Sequence, residues 1–149
     1  RSGYTDDYGN EWQQICWRGA VSSAIRGRRG QAFLKEMLRA LDTLPEKKLI
    51  TGELEADVTH ETFVETQVCA LGALGLARGM DMEDIDPEDP ETVAHKFGIA
   101  TALAREIVYV NDEEDVFWRT PETPEQRFNR VRKWVEQNII MEKANGQTQ

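Results

Sequence analysis

Histidine and cysteine are scarce in this 149-residue chain, two of each. Cys16 and Cys69 form at most one disulfide, which excludes a small disulfide-scaffolded fold. With His60 and His95 they make up a zinc set by number, but no pair has ligand-like spacing, so neither a metal nor a cofactor is expected. Five prolines and eleven glycines are too few for collagen-like or proline-rich low-complexity chains. No run of about 18 apolar residues occurs, so no membrane-spanning helix and no membrane partner is expected. GxGxxG, GxSxG, HExxH and CxxC are all missing, and with them the usual sequence signs of nucleotide, hydrolase, metalloprotease and redox chemistry. A non-enzyme is the expected class.

What is present is enough for one core. Apolar residues make up 40% of the chain and twelve residues are aromatic, which argues against global disorder and for a single domain over 1–149. Residues 1–9 and 144–149 read as flexible ends. Acid is in excess, with a formal net charge of -9, and unevenly placed. Residues 1–49 balance at +3 and residues 50–149 at -12. Such a surface repels a phosphate backbone and draws basic patches of other macromolecules. The chain opens at Arg1 without a charged-then-apolar leader and has only two cysteines, so a reducing cytoplasm is the expected compartment.

Periodicity predicts a mainly α fold of five or six helices with a small two-stranded β-hairpin. Trp12, Ile15, Cys16, Ala20, Val21, Ala24 and Ile25 recur in helical steps over 11–25. Arg26-Gly27-Arg28-Arg29-Gly30 breaks that helix, and a second runs from about Gln31 to Leu41 on Phe33, Leu34, Met37, Leu38 and Leu41. The alternation of Ile50, Gly52, Leu54 and Ala56 predicts a strand over 48–56, paired with 63–68 across a turn at 57–62. Cys69 to Gly79 reads as a closely packed helix with Gly79 as its C-cap. Asp89-Pro90 starts a short helix ending at Gly98, and another runs from Ala100 to about Val110. Phe117-Trp118 should tuck into the core. Thr123-Pro124-Glu125-Gln126 is a capping box for a last helix reaching about Met141 on Phe128, Val131, Trp134, Val135 and Ile139.

Several stretches carry candidate chemistry. The loop Arg26, Arg28, Arg29 with two glycines has the guanidiniums and free N–H groups that phosphate or carboxylate binding needs; pairing of these arginines with the acidic surface is the competing reading. Residues 93–107 have the apolar spacing of a helix-turn-helix, but the second helix offers little to bases or phosphates, so a purely structural corner is expected. Asp81-Met82-Glu83-Asp84-Ile85-Asp86 lacks the glycine and the twelfth-position glutamate of a calcium loop. Cys69 at a helix start, with His60 and Asn111, is the one candidate nucleophilic trio. Trp12, Trp17, Trp118 and Trp134 read as core anchors, Trp12 and Trp17 on different faces, and Tyr4, Tyr8 and Trp12 as a candidate docking stripe.

Val68-Cys69-Ala70-Leu71-Gly72-Ala73-Leu74 and Val110-Asn111-Asp112, with Trp17-Arg18-Gly19-Ala20, Arg29-Gly30-Gln31-Ala32-Phe33 and the Thr-Pro-Glu before the last helix, resemble small uncharacterised phage and prophage proteins. The resemblance covers most of the chain. It implies a phage or bacterial cytoplasmic origin. The resulting expectation is a non-enzymatic accessory protein that binds and modulates a host protein complex, a CRISPR or similar defence nuclease among them. Its contacts would be the acids Asp81, Glu83, Asp84, Asp86, Glu88, Asp89, Asp112, Glu113, Glu114 and Asp115. The alternative is a nucleic-acid or phosphate binder acting through Arg26, Arg28 and Arg29.

Overall fold

A computed structural model describes residues 11–112 and 121–141. The order is α1 (Glu11–Arg26), α2 (Arg28–Thr43), β1 (Glu55–Thr59), β2 (Val64–Val68), α3 (Ala70–Arg78), α4 (Pro90–Phe97), α5 (Thr101–Asp112) and α6 (Pro124–Asn138). The architecture is mainly α with one antiparallel hairpin, as the periodicity predicts. No helix among the described residues is long and apolar enough to cross a membrane. Glu113, Glu114, Asp115, Phe117, Trp118, Tyr4, Tyr8 and both tails lie outside the described residues.

α3 is the centre. Ala70 through Gly75 are all buried, and a helix buried on every side must be surrounded. α2 and α5 flank it, β2 runs into it, and α6 closes over α2. Its start is fixed locally: the Cys69 sulfur accepts from the Gly72 amide, and Gly79 ends it at φ 66°. Gly72 answers to a close approach. A Cβ there would stand 1.8 Å from the Leu54 carbonyl oxygen, well inside van der Waals contact, so any side chain would drive the helix off the segment leading into β1. α4 begins on Asp89, whose carboxylate accepts from the Thr92 amide, and α6 carries the reciprocal Thr123–Gln126 capping box.

Four expectations need correction. The α1 stripe is helical, but only Val21 of α1 is buried; Trp12 is 71% exposed and Ile15 54%. The α1–α2 break is one residue, Gly27, and not a five-residue loop. Gly30 lies inside α2, where a Cβ would meet the Ala24 carbonyl oxygen at 1.8 Å; its role is helix-on-helix contact, not an N–H cradle. β1 lies further along the chain than alternation predicts. Leu49 and Leu54 are drawn into the core, Gly52 turns at φ 81°, and the tight closure from His60 N to Phe63 O (2.8 Å) pairs residues 57–59 with 64–66. Last, α6 stops at Asn138 instead of near Met141.

Candidate functional site

The acidic residues meet at a groove of about 740 Å³ beside β1. Glu53, Glu55 and Asp57 line one wall, and Asp81 and Glu83 line the other. Among the described residues no lysine, arginine or histidine lines it. Its second wall is firmly held: Met82 and Ile85 are buried, so Asp81, Glu83, Asp84 and Asp86 point to solvent. The loop also ties itself down, the carboxylates of Asp81 and Asp86 accepting from the amides of Glu83 and Glu88 at 3.1 and 2.8 Å. Asp89 caps α4, and hydrogen bonds from Thr92 hold its carboxyl below the usual range. Among the described residues no three of His, Cys, Asp or Glu are gathered as a metal site. The carboxylates are therefore strung along the groove, an arrangement suited to an extended cationic partner.

The structure brings together acids far apart in sequence. Asp112 accepts from the Gly52 amide at 3.4 Å, and a small hollow lined by Asp112, Glu53 and Pro87 adjoins the groove through the last two residues. Asp112 is thus partly structural. Glu53, Glu55 and Asp57 were missed in the sequence reading; their alternation along a strand candidate was the available signal. Of the acids at 81–89 predicted as contacts only Asp81 and Glu83 line the groove; Asp84, Asp86, Glu88 and Asp89 do not.

Arg26, Arg28 and Arg29 are exposed at the α1–α2 junction. None pairs with a carboxylate of the described residues, unlike Arg78 on Glu36 (2.7 Å) and Arg132 on Asp42 (2.6 Å). Arg26 and Arg28 line a shallow groove of about 480 Å³ with Lys35 and Arg39. The basic surface is therefore a helix face, and Lys35 and Arg39 belong to it by their i+7 and i+11 spacing from Arg28.

Cys69 is buried, and the predicted trio with His60 is not brought together. Burial pushes its thiol up to about 12, opposite to the lowered value expected at a helix start. His60 is at the far end of the hairpin, stacked on Phe63 and 3.1 Å from Glu65. Phe63, which pairs opposite it, stands six residues, about 20 Å, along the strand from Cys69. Asn111 does reach this helix start, for a structural purpose. Its Oδ1 accepts from the Ala70 amide (3.1 Å) and its Nδ2 donates to the Ile50 carbonyl (2.9 Å). The Cys69–Leu74 and Asn111–Asp112 motifs are thus two halves of one latch joining α3, α5 and the segment before β1.

The α4–Gly98–α5 corner buries Ala94, Phe97, Ile99, Leu103, Ala104 and Ile107 as its spacing predicts. α1 packs over α5, with the Arg105 guanidinium 5.3 Å from the Trp17 ring. A helix so covered cannot enter a DNA groove. Trp17, Trp134 and Glu106, which is only 3% exposed, border a cleft of about 260 Å³ between α1, α5 and α6. Trp134 is a core anchor, Trp17 is half-buried, and Trp12 is not a core anchor. Compared with protein-family models, curated proteins and solved structures, the chain matches none, so its function is read from these residues alone.

Proposed function

We propose that this chain is a non-enzymatic, phage-type accessory protein that binds and modulates a host protein complex, and that the groove between β1 and the loop at 81–87 receives a basic surface of that partner. The observation that carries this reading is the groove itself: five carboxylates and, among the described residues, no basic one. Nucleases hold nucleic acid on basic surfaces, and an acidic groove competes for such a surface, which is the basis for naming an anti-defence role. The phage assignment rests on the motif resemblance. In the test, tagged wild-type protein and the Glu55→Lys/Asp81→Lys/Glu83→Lys variant are mixed with nuclease-treated bacterial lysate. A stoichiometric protein complex should be held by the wild type and lost by the variant, with equal circular-dichroism melts. Equal retention by both proteins contradicts the assignment to this groove.

A second reading has its own support. Arg26, Arg28, Lys35 and Arg39 around one shallow groove, of which Arg39 stands near enough to Glu36 to lower its carboxyl's pKa, suit phosphate binding. That reading predicts salt-dependent retardation of DNA or RNA that Arg26→Ala/Arg28→Ala/Arg39→Ala removes; nucleic acid that passes the wild type unretarded at low salt dismisses it.

A further inference from the structure

We propose that the groove takes its partner as an extended lysine- or arginine-bearing segment that pairs with the outer edge of β1 as a third strand. This rests on the acidic-docking reading above and specifies how the partner is held.

The register settles which main-chain groups are available. Cys69 N donates to Leu54 O at 3.0 Å, and His60 N to Phe63 O at 2.8 Å. Hydrogen-bonded positions of an antiparallel ladder recur every second residue, so Leu54, Ala56, Val58 and His60 face β2. Glu55, Asp57 and Thr59 therefore turn their N–H and C=O groups outward. Among the described residues no main-chain or side-chain group bonds to those outward groups, and β1 pairs with β2 alone. The outer edge of β2 differs, because Ile50 N donates to Val68 O at 2.9 Å and covers its end.

The groove follows β1, reaching Thr66 of β2 across its face as well as this open edge. Residues on a sheet face alternate, yet Glu53, Leu54, Glu55, Ala56 and Asp57 line the groove in succession. The loop at 81–87 forms the opposite wall, and Leu76, Met82 and Ile85 contribute apolar surface. A strand laid between them would exchange at most about six main-chain hydrogen bonds with Glu55, Asp57 and Thr59. Alternate cationic side chains would meet carboxylates on both walls.

The same charges decide the occupant. Acid on an edge strand repels a second copy of the same edge, so self-pairing through β1 sets Glu55 and Asp57 against their own equivalents. A foreign basic segment meets only opposite charge.

The test uses three fluorescent decapeptides: one alternating lysine with valine or threonine, its glutamate counterpart, and the lysine peptide N-methylated at its four central amides. N-methylation keeps the charge and removes main-chain donors. The lysine peptide should bind, the glutamate peptide should not, and N-methylation should weaken binding tenfold or more. Hydrogen exchange at Asp57 and Thr59 should slow on adding the lysine peptide. Equal affinity for the N-methylated peptide, with unchanged exchange at Glu55, Asp57 and Thr59, overturns strand addition and leaves acidic docking standing. Failure of the lysine peptide to bind, or equal binding of the lysine and glutamate peptides, overturns both.

Discussion

Removing the Asn111 side chain should loosen the molecule more than any surface change, and the reason can be worked through. Asn111 is 2% exposed and satisfies two main-chain groups from distant segments, the Ala70 amide and the Ile50 carbonyl. The first is an orphan donor of the first turn of α3. Asn111→Ala strands both, at about 1–3 kcal/mol each, so a total loss of about 2–6 kcal/mol is expected. That is a large part of the 5–15 kcal/mol that holds an ordinary domain. With a urea slope of about 2 kcal/mol/M, the unfolding midpoint should fall by about 1–3 M. Asn111→Asp keeps the acceptor for Ala70 but loses the donor to Ile50 and sets a second carboxylate beside Asp112. Burial and that neighbour raise the new carboxyl's folded pKa above its unfolded value. Its stability contribution is then present at low pH and lost as pH rises through the folded pKa, so its deficit should grow as pH rises above about 3.9. A midpoint shift under about 0.3 M for Asn111→Ala refutes the latch.

Three other outcomes follow from the same structure. Gly72→Ala places a methyl 1.8 Å from the Leu54 carbonyl oxygen, so it should cost about 3 kcal/mol or more in chemical denaturation; a near-neutral effect contradicts the close approach of α3 to this segment. Cys16 is exposed and Cys69 buried, so one thiol per chain should react quickly with a thiol reagent at neutral pH and the second only on unfolding. Two fast thiols would contradict the buried N-cap. Hydrogen bonds from Lys48 and then His60 hold the Glu65 carboxyl at about 2, against about 4.3 unperturbed. Its contribution is therefore present above about pH 4.3 and lost as pH falls toward 2. Carboxyl NMR should show Glu65 titrating last among the glutamates, and Lys48→Met should move it up; titration near 4.3 in the wild type contradicts the pair.

Local rules were legible and non-local ones were not. The Cys69 and Gly79 ends of α3, the Asp89-Pro90 start of α4 and the Thr123–Gln126 box depend on neighbours within a few residues, and the chain spells them out. The hairpin was misplaced because its position depends on where Leu49 and Leu54 enter a core assembled from other segments. The arginine stretch looked like a loop since Gly30 reads as a breaker, whereas its contact with Ala24 exists only once two helices cross. The acids at 81–89 were legible as charge. That Asp81 and Glu83 face Glu53, Glu55 and Asp57 across a groove was not, because pairing of segments some 25 residues apart leaves no periodic trace. The Asn111 latch was hidden for the same reason: a polar run after a helix reads as solvated, and only the start of α3 beside it makes Asn111 a buried partner.

The central claim, that the groove beside β1 receives a basic partner, is tested most directly by titrating a lysine-rich decapeptide into isotope-labelled protein and following the backbone amide signals. The account predicts saturable shifts at residues 53–57 and 81–87 that shrink as salt rises and vanish in the Glu55→Lys/Asp81→Lys/Glu83→Lys variant. Saturable shifts elsewhere, with residues 53–57 and 81–87 unmoved, would contradict it.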